Sequence, residues 1–293
     1  MSAPAARSCP PLVITVAPTG AYRSKADHPN LPVTAAEVAR AAAACRDAGA
    51  AMIHVHVRDR DGRHLLDADA YAETTRAIRD AVGDGLIVQA STESGGRYRP
   101  EAQMAVVRAL QPEAVSLALA EIIPDPDHEK AGAAFLRGLH DRRTLVQYIV
   151  YSARDLARFR AYCRRGLVPG VRHFLLFVLG RHVLGQVSTP RDILPFLAVH
   201  DDAQDWAVCA FGPRENACAL TAAALGGHSR VGFENNLYRF DGRYANENAD
   251  LVAQLRDGAA FLGRAVADAD QARDLLCGNF SSEKLYVAGG RGG

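Results

Sequence analysis

The 293-residue sequence lacks the features that mark several classes of protein. No apolar run approaches the roughly 20 residues of a membrane-spanning helix. There is no basic tract either, because 34 basic and 33 acidic residues are spread along the chain and give a net charge of +1. We therefore expect no membrane partner and no nucleic-acid partner. GxGxxG and Walker A patterns, the fingerprints of nucleotide binding, are also missing.

Six cysteines are present but no CxxC pair, so nothing indicates a disulfide scaffold. Cys45, Cys209 and Cys218 lie among apolar neighbours, which predicts reduced, buried thiols in a cytoplasmic protein. Residues 1–10 lack the apolar core of a signal peptide and are expected to form a flexible leader. We expect a single domain over residues 11–280 and a flexible, glycine-rich tail over 281–293.

Short apolar stretches typical of strands alternate with stretches typical of helices along nearly the whole chain. Eight strands are predicted, at Leu12–Ala17, Met52–Val57, Leu86–Ala90, Ala114–Leu117, Leu145–Tyr151, His173–Val178, Trp206–Ala210 and Ser229–Phe233. Helices are predicted near residues 34–48, 67–82, 101–110, 129–141, 153–165, 190–200, 215–225 and 247–262. Thr34 and Glu37 form a capping box that begins the first helix, and Gly49 ends it. Eight such units favour a (β/α)₈ TIM barrel, with a doubly wound open sheet as the alternative.

The second predicted strand carries two histidines, His54 and His56. Period-two alternation points both imidazoles to the same face, where they could bind one metal ion such as Zn²⁺. Two polar residues on the wet face of an edge strand are the alternative. The polar segment from Arg58 to Gly62 follows at once, so the histidines lie at the carboxyl end of a strand, where barrel enzymes form their sites.

Glu234 lies at the end of the eighth predicted strand. In a closed barrel this strand is next to the first strand and one position from the second. Two histidines and a glutamate, with an open position for water or substrate, make a catalytic zinc set. Alternatively, Glu234 pairs with Arg230 or Arg239.

With these residues in view, the chain resembles the beta-keto acid cleavage enzymes. The matching segments extend almost from end to end, and they are Val16–Ala21, Asp27–Pro32, Ala48–Ala50, His54–His56, Gln89–Thr92, Phe177–Gly180, Trp206–Val208, Gly226–His228 and Arg230–Asn236. The resemblance implies a zinc-bearing barrel, usually a homotetramer. It also implies an enzyme that exchanges the acyl part of a beta-keto acid with acetyl-CoA, releasing acetoacetate and a new acyl-CoA.

The resemblance also implies roles for individual residues. His54, His56 and Glu234 match the family's zinc ligands, and Arg230 matches its arginine four residues before the glutamate. Ser91 and Ser116 match positions that hydrogen-bond the substrate, although each serine is also typical of a helix N-cap. We expect Thr92, and Tyr148 on the fifth strand, to lie in the same substrate site.

Several departures from the family pattern affect proton transfer. Asn235 stands where the family usually has an aspartate, the proposed general base, and an amide cannot take that role. Tyr22 replaces a supporting glutamate, so we expect Arg230 to be available to a substrate carboxylate. Glu93 and Glu121, in neighbouring loops, are either relocated bases or solvated carboxylates.

Further replacements concern the substrate pocket. Ala118 replaces an asparagine near the end of the fourth strand. The fifth strand, at Tyr148–Tyr151, has no carboxylate for a substrate amine, which predicts an apolar or aromatic acyl group. Two interpretations from different classes stay open. One is an active zinc enzyme that uses weak acetyl-CoA condensation or a changed retro-Claisen, hydrolytic or decarboxylative step. The other is a non-catalytic barrel that binds zinc and a small carboxylate.

Overall fold

The central feature of the fold is a closed barrel of eight parallel strands. A computed structural model describes residues 9–180, 187–201 and 204–277. Around the barrel the strands follow the order β1, β10, β9, β8, β7, β6, β5 and β2, where β2 closes on β1. Their bounds are Ile14–Val16 (β1), Met52–Val55 (β2), Ile87–Ser91 (β5), Ala114–Ala118 (β6), Leu145–Val150 (β7), Phe174–Leu179 (β8), Asp205–Ala210 (β9) and His228–Val231 (β10). The predicted (β/α)₈ barrel is confirmed, and the open sheet is wrong.

Helices follow the strands and surround the barrel. Their bounds are Ala35–Ala48 (α1), Ala68–Val82 (α2), Pro100–Leu110 (α3), Leu119–Ile122 (α4), Glu129–Asp141 (α5), Ala153–Arg164 (α6), Leu194–Leu197 (α7), Glu215–Ala224 (α8), Asn248–Phe261 (α9) and Ala269–Cys277 (α10). The predicted capping box is present, because Thr34 Oγ1 accepts from Glu37 N and the Glu37 carboxylate accepts from Thr34 N. Gly49 ends α1 in the left-handed conformation, as predicted.

Several predicted elements differ from the observed ones. The strand predicted over Leu12–Ala17 is shorter, at Ile14–Val16, and the strand predicted over Ser229–Phe233 lies at His228–Val231. The helix predicted over 190–200 is a 3₁₀ turn at Pro190–Ile193 followed by the short α7, because Pro195 lacks an N–H and interrupts a longer helix. The strand predicted over Met52–Val57 ends at Val55. The chain then forms a small antiparallel hairpin from Val57–Arg58 (β3) and His64–Leu65 (β4). The short α4 and the last helix, α10, were not predicted.

Apolar side chains form three buried clusters. Two of them lie between the barrel and its helices. The third fills the barrel interior near the amino-terminal ends of the strands, with residues such as Met52, Ile87 and Phe174. Because alternate residues of a strand face opposite sides, the next inward positions of β2 and β5 are His54 and Gln89. The polar residues therefore lie inside the barrel, directly above this layer of apolar side chains toward the carboxyl ends of the strands.

Cys45, Cys209 and Cys218 are buried reduced thiols, as predicted. Across the described residues, each helix is too short or too polar to traverse a lipid bilayer. Residues 1–8 of the predicted leader and all of the predicted tail lie outside the described residues.

Candidate metal centre

Three potential metal ligands converge at the carboxyl end of the barrel. His54 on β2, His56 just after it and Glu234 just after β10 place one ligand atom each within 4.8 Å of the others. The distance between the two Nε2 atoms is 3.0 Å, and Glu234 Oε2 lies 3.6 Å from His54 Nε2 and 3.5 Å from His56 Nε2. All three side chains are buried.

The two distances to Glu234 suit one tetrahedral ion, because ligand atoms about 2.0–2.2 Å from zinc lie about 3.3–3.6 Å from each other. The 3.0 Å between the two histidine nitrogens is shorter than this range. Glu234 Oε2 is buried and has no hydrogen-bond partner among the described residues, a costly arrangement unless a cation lies between the three atoms. The nitrogen and oxygen donors match those that Zn²⁺ binds in catalytic sites.

Gln89 prepares His54 to act as a ligand. Its Oε1 lies 2.8 Å from His54 Nδ1, and a carbonyl oxygen can only accept, so Nδ1 carries the proton and Nε2 presents its lone pair to the site. Gln89 Nε2 in turn donates to Gln147 Oε1 at 3.2 Å. Burial and the Arg230 charge hold the pKa of His54 well below its usual value, so the ring is neutral.

Two glycines make room for Glu234. Gly20 has a φ of +67°, and a Cβ there would lie 2.5 Å from Glu234 Cγ. Gly232 has a φ of +139°, and a Cβ there would collide with the Ala17 carbonyl. Glu234 N donates to that same carbonyl at 3.0 Å, which anchors the turn after β10 to the end of β1. Only glycine permits this close approach of the two chain segments.

Arg230 pairs with Glu234, the candidate carboxylate ligand. Its Nη2 lies 3.1 Å from Glu234 Oε1, 3.2 Å from Cys209 Sγ and 3.4 Å from Asn235 Oδ1. Burial opposes ionisation of Glu234, but the guanidinium holds its pKa well below the usual range. Arg230 therefore has an acidic partner in Glu234, which the sequence analysis did not expect, and its role toward a substrate carboxylate stays a prediction. One oxygen of Glu234 pairs with Arg230, as one interpretation predicted, and the other oxygen faces the histidines.

Ser91 and Ser116 face the barrel interior on neighbouring strands, where they are paired in register. Ser116 Oγ lies 3.5 Å from His54 Nδ1, and Ser91 Oγ accepts from Glu93 N at 3.2 Å. Thr92 is also buried, and its hydroxyl donates to the Ser116 carbonyl at 3.0 Å. This hydrogen bond therefore links the residue after β5 to β6.

The two acids considered as relocated bases have different surroundings. Glu93 Oε2 lies 3.8 Å from His56 Nε2, at the edge of the candidate metal centre. Glu121 accepts hydrogen bonds from the backbone and hydroxyl of Ser94 and from Gln103 Nε2, at 2.8–3.1 Å. Glu121 thus stabilises the loop that carries Glu93, and its oxygens are already engaged.

Tyr148 and Tyr22 do not lie with this group of buried polar residues. Tyr148 packs against Phe159 of α6 with ring centroids 4.9 Å apart, on the helix side of β7, whereas the neighbouring Gln147 faces the interior. The structure therefore does not place Tyr148 where a substrate site was expected. Tyr22 lies on the loop after β1 with 70% of its surface exposed.

The sequence did not single out several residues that complete the site. His64 is buried, packs 5.5 Å from the His56 ring and bonds the Glu93 carbonyl through Nε2 at 2.8 Å. Glu215, at the start of α8, is buried against Asn235. Gln89 shares the inward face of β5 with Ser91, so period-two alternation could have identified it. No local pattern distinguishes Glu215 from an ordinary acidic residue in a first helical turn.

The barrel and the buried ligand set define a (β/α)₈ protein with a candidate metal centre. A model of the beta-keto acid cleavage enzyme family matches residues 11–277, and the chain belongs to this family. A 3-keto-5-aminohexanoate cleavage enzyme from Fusobacterium nucleatum subsp. nucleatum is 31% identical over 270 residues, which cover 90% of this chain and 97% of that protein. A 3-oxoadipate:acetyl-CoA acetyltransferase from Cupriavidus necator is 31% identical over 282 residues, covering 91% and 94% respectively.

Solved structures share the fold at lower identity. The ternary complex of ObcA with a C4-CoA adduct and oxalate is 18% identical, with a TM-score of 0.69 over 85% of this chain and 67% of that one. The apo structure of ObcA has a TM-score of 0.65 and is covered over 65% of its length. The chain thus spans about two thirds of these solved chains, and at this identity the likeness concerns the fold alone.

Proposed function

We propose that this protein is a zinc-dependent enzyme that condenses a beta-keto acid with acetyl-CoA and releases acetoacetate and an acyl-CoA. The observation that carries the proposal is the convergence of His54, His56 and Glu234 in a chain of the beta-keto acid cleavage family. The relative from Cupriavidus necator, named as a 3-oxoadipate:acetyl-CoA acetyltransferase, supports acetyl-CoA as the co-substrate.

The metal would be held by His54 Nε2, His56 Nε2 and Glu234 Oε2. When bound there, Zn²⁺ would polarise a substrate carbonyl and stabilise negative charge. Gln89 keeps His54 in the tautomer that binds metal, and Arg230 keeps Glu234 ionised. The hydroxyls of Ser91 and Ser116, on the same side of the barrel, would orient the acetoacetyl part of the substrate.

The reaction also needs a base that removes a proton from the carbon between the keto and carboxyl groups. Asn235 cannot supply it, because an amide has no basic lone pair near neutral pH. Glu93 is the stronger of the two loop candidates, since it lies 3.8 Å from His56 while Glu121 is engaged by its own loop. With the base displaced from position 235, we expect the standard acetyl-CoA reaction to be weak, by about the 10²–10⁴-fold that acid–base catalysis supplies.

A second candidate function is the binding of zinc and a small carboxylate without turnover. It is favoured by the pairing of Arg230 with Glu234 and by the amide at position 235. Changed retro-Claisen or hydrolytic chemistry at the same metal would use the same ligands. These alternatives predict that the purified protein contains zinc but forms no acetoacetate from acetyl-CoA and a beta-keto acid.

The compartment and assembly state are also proposals. The resemblance implies a homotetramer, and the buried thiols suit a reducing cytoplasm. Light scattering on the purified protein tests the oligomer, and a tetramer mass is expected.

One experiment tests the main proposal. Metal content is measured by elemental analysis, and acetoacetate is measured with a panel of beta-keto acids, with and without acetyl-CoA. We expect about one zinc per chain in the wild type and none in His54→Ala. His140→Ala, near the start of β7 at the other end of the barrel, is the control and should retain zinc. Full zinc content in His54→Ala would overturn the metal assignment.

The acyl substituent gives a separate prediction. Ile149 shares the inward face of β7 with Gln147, and Tyr151 follows directly after the strand, so neither provides a carboxylate. A buried ammonium without a partner is costly, so we expect an alkyl beta-keto acid to bind more tightly than its aminated isostere. Isothermal titration calorimetry measures the affinity of each acid, and tighter binding of the aminated acid would contradict this prediction.

A further inference from the structure

Glu215 is a buried carboxylate at the first residue of α8. It is 1% exposed. Its Oε1 accepts from Gly232 N at 3.1 Å and from Asn235 Nδ2 at 3.3 Å, and its Oε2 accepts from Asn236 Nδ2 at 3.3 Å. Burial raises the pKa of Glu215 to about 8, although these amides and Arg23 act in the opposite direction. This carboxylate therefore contacts the whole turn that carries Glu234.

Asn235 connects Glu215 to Arg230. Its Nδ2 donates to Glu215, while its Oδ1 accepts from Arg230 Nη2 at 3.4 Å. Its Nδ2 also donates to the Arg230 carbonyl at 3.4 Å. Because Glu215 Oε1 and the Arg230 carbonyl both accept from Nδ2, they fix the orientation of the Asn235 amide with Oδ1 toward the guanidinium. The same Arg230 Nη2 reaches Glu234 Oε1, which links the contact to the candidate metal centre.

An aspartate at position 235 would conflict with this arrangement. It would place a second carboxylate about as far from Glu215 Oε1 as Nδ2 is now, 3.3 Å. It would also place an acceptor against the Arg230 carbonyl, which Nδ2 contacts at 3.4 Å, so both hydrogen bonds that Asn235 donates would be lost. The contact therefore depends on the N–H groups of Asn235.

We propose that Glu215 is a positioning residue, which orients Asn235 and, through it, the Arg230 guanidinium against the metal ligand Glu234. The contact requires an N–H donor at position 235 and an acceptor at position 215. This inference deepens the proposed function and rests on it for the role of the metal centre. An acid at position 235 would remove the donor, so we expect it to weaken the site rather than restore it.

The test removes the two sides of the contact separately and together. Glu215→Leu, Asn235→Ala and the double variant Glu215→Leu/Asn235→Ala are compared with the wild type as full-length proteins titrated with zinc. We expect each single variant to bind zinc about tenfold more weakly, the lower end of effects seen for groups that orient metal ligands. Because Glu215 acts through Asn235, the double variant should bind zinc no more weakly than Asn235→Ala alone, whereas independent losses would multiply.

A matched variant distinguishes positioning from general packing. Asn236 is the other amide that Glu215 contacts at 3.3 Å, and it bonds the Tyr238 carbonyl instead of Arg230. Asn236→Ala should therefore keep a zinc affinity near that of the wild type. If Asn235→Ala fails to fold, the contrast between Glu215→Leu and Asn236→Ala carries the test. The proposal is overturned if the losses of zinc affinity at positions 215 and 235 multiply, or if Asn236→Ala binds zinc as weakly as Glu215→Leu.

Acetoacetate formation separates this inference from the proposed function. If the losses of zinc affinity do not multiply but neither the wild type nor any variant turns over a beta-keto acid with acetyl-CoA, the positioning role stands and the proposed reaction fails. If turnover is present in the wild type but the losses multiply, the proposed reaction stands and the role of Glu215 fails.

Discussion

Individual side chains around the two histidines determine whether the site can bind a metal. Gln89 is one of them, because its amide oxygen determines which nitrogen of His54 carries the proton. Gly20 is another, because its lack of a side chain lets the carbon chain of Glu234 approach β1. Neither residue has chemistry of its own, and both act by placing a ligand.

We expect Gln89→Leu to weaken zinc binding by about 10–100-fold, the usual effect of removing a group that orients a metal-ligating histidine. Competition with a chromogenic chelator measures the affinity. Gln147→Leu is the matched control, since it removes the partner of Gln89 and leaves the bond to His54 in place. An unchanged zinc affinity in Gln89→Leu would show that His54 does not need this bond.

Gly20→Ala should displace Glu234 and weaken zinc binding by about tenfold or more, comparable to other losses of ligand orientation. The added Cβ would lie 2.5 Å from Glu234 Cγ, and the backbone there has a φ of +67°. Gly263→Ala is the control, because Gly263 has a φ of +70° but no atom within 4 Å of the added Cβ. Equal losses of zinc affinity in both variants would attribute the effect to backbone strain rather than to contact with the ligand.

At the scale of helices and strands, local patterns predicted the regular parts of the fold. The capping box at Thr34 and the glycine at the end of α1 depend only on neighbours in sequence, so they could be identified directly. The break after Val55 and the direction of Tyr148 depend on tertiary packing, which no local pattern reports. The barrel brings His54 and Glu234 together through strand order, and that order followed from counting eight units. The contacts of Arg230 and Glu215 with the turn after β10 could not be predicted in this way.

The first helix gives a prediction of stability. Thr34→Ala should lower the free energy of unfolding by about 1 kcal/mol, since it removes the hydroxyl that accepts from Glu37 N. Urea unfolding at neutral pH measures the change. Ala41→Ser, in the middle of the same helix, is the control for a small change of helix propensity on α1. It should lower the free energy of unfolding by less than Thr34→Ala does. Equal losses would show that the cap contributes nothing beyond helix propensity.

The partner residue of this cap predicts a dependence on pH. Burial tends to raise the pKa of Glu37, but the Lys25 ammonium and the N–H groups of Val33 and Thr34 lower it to about 2, from a usual value of 4.5. A depressed pKa means that the carboxylate stabilises the folded state above about pH 4.5 and loses this effect as the pH falls toward 2. The stability difference between wild type and Glu37→Gln should therefore shrink over that range. A constant difference between pH 6 and pH 3 would contradict the shifted pKa.

For the whole molecule, the candidate metal centre lies where the first and last strands of the barrel meet. β1 lies between β2, which carries His54, and β10, which precedes Glu234. A bound ion would therefore tie together strands from opposite ends of the chain.

Removal of zinc with a chelator should lower the unfolding temperature of the wild type by several degrees. A ligand present at 100 times its dissociation constant stabilises the folded state by about 2.7 kcal/mol. Differential scanning calorimetry measures the shift, and His54→Ala should show none because it binds no zinc. A chelator effect of equal size in both proteins would place the stabilising ion elsewhere.

The separation of the ligands along the chain has a consequence for synthesis on the ribosome. Glu234 follows His56 by about 180 residues. At a translation rate of about 5–20 residues per second, the carboxylate is therefore synthesised about 9–36 s after the two histidines. During that interval a nascent chain can offer an ion only two imidazoles, without Arg230 or the turn that anchors Glu234. Tight zinc capture therefore has to await translation of the final strand, and an ion held firmly by this protein marks a chain whose barrel has closed.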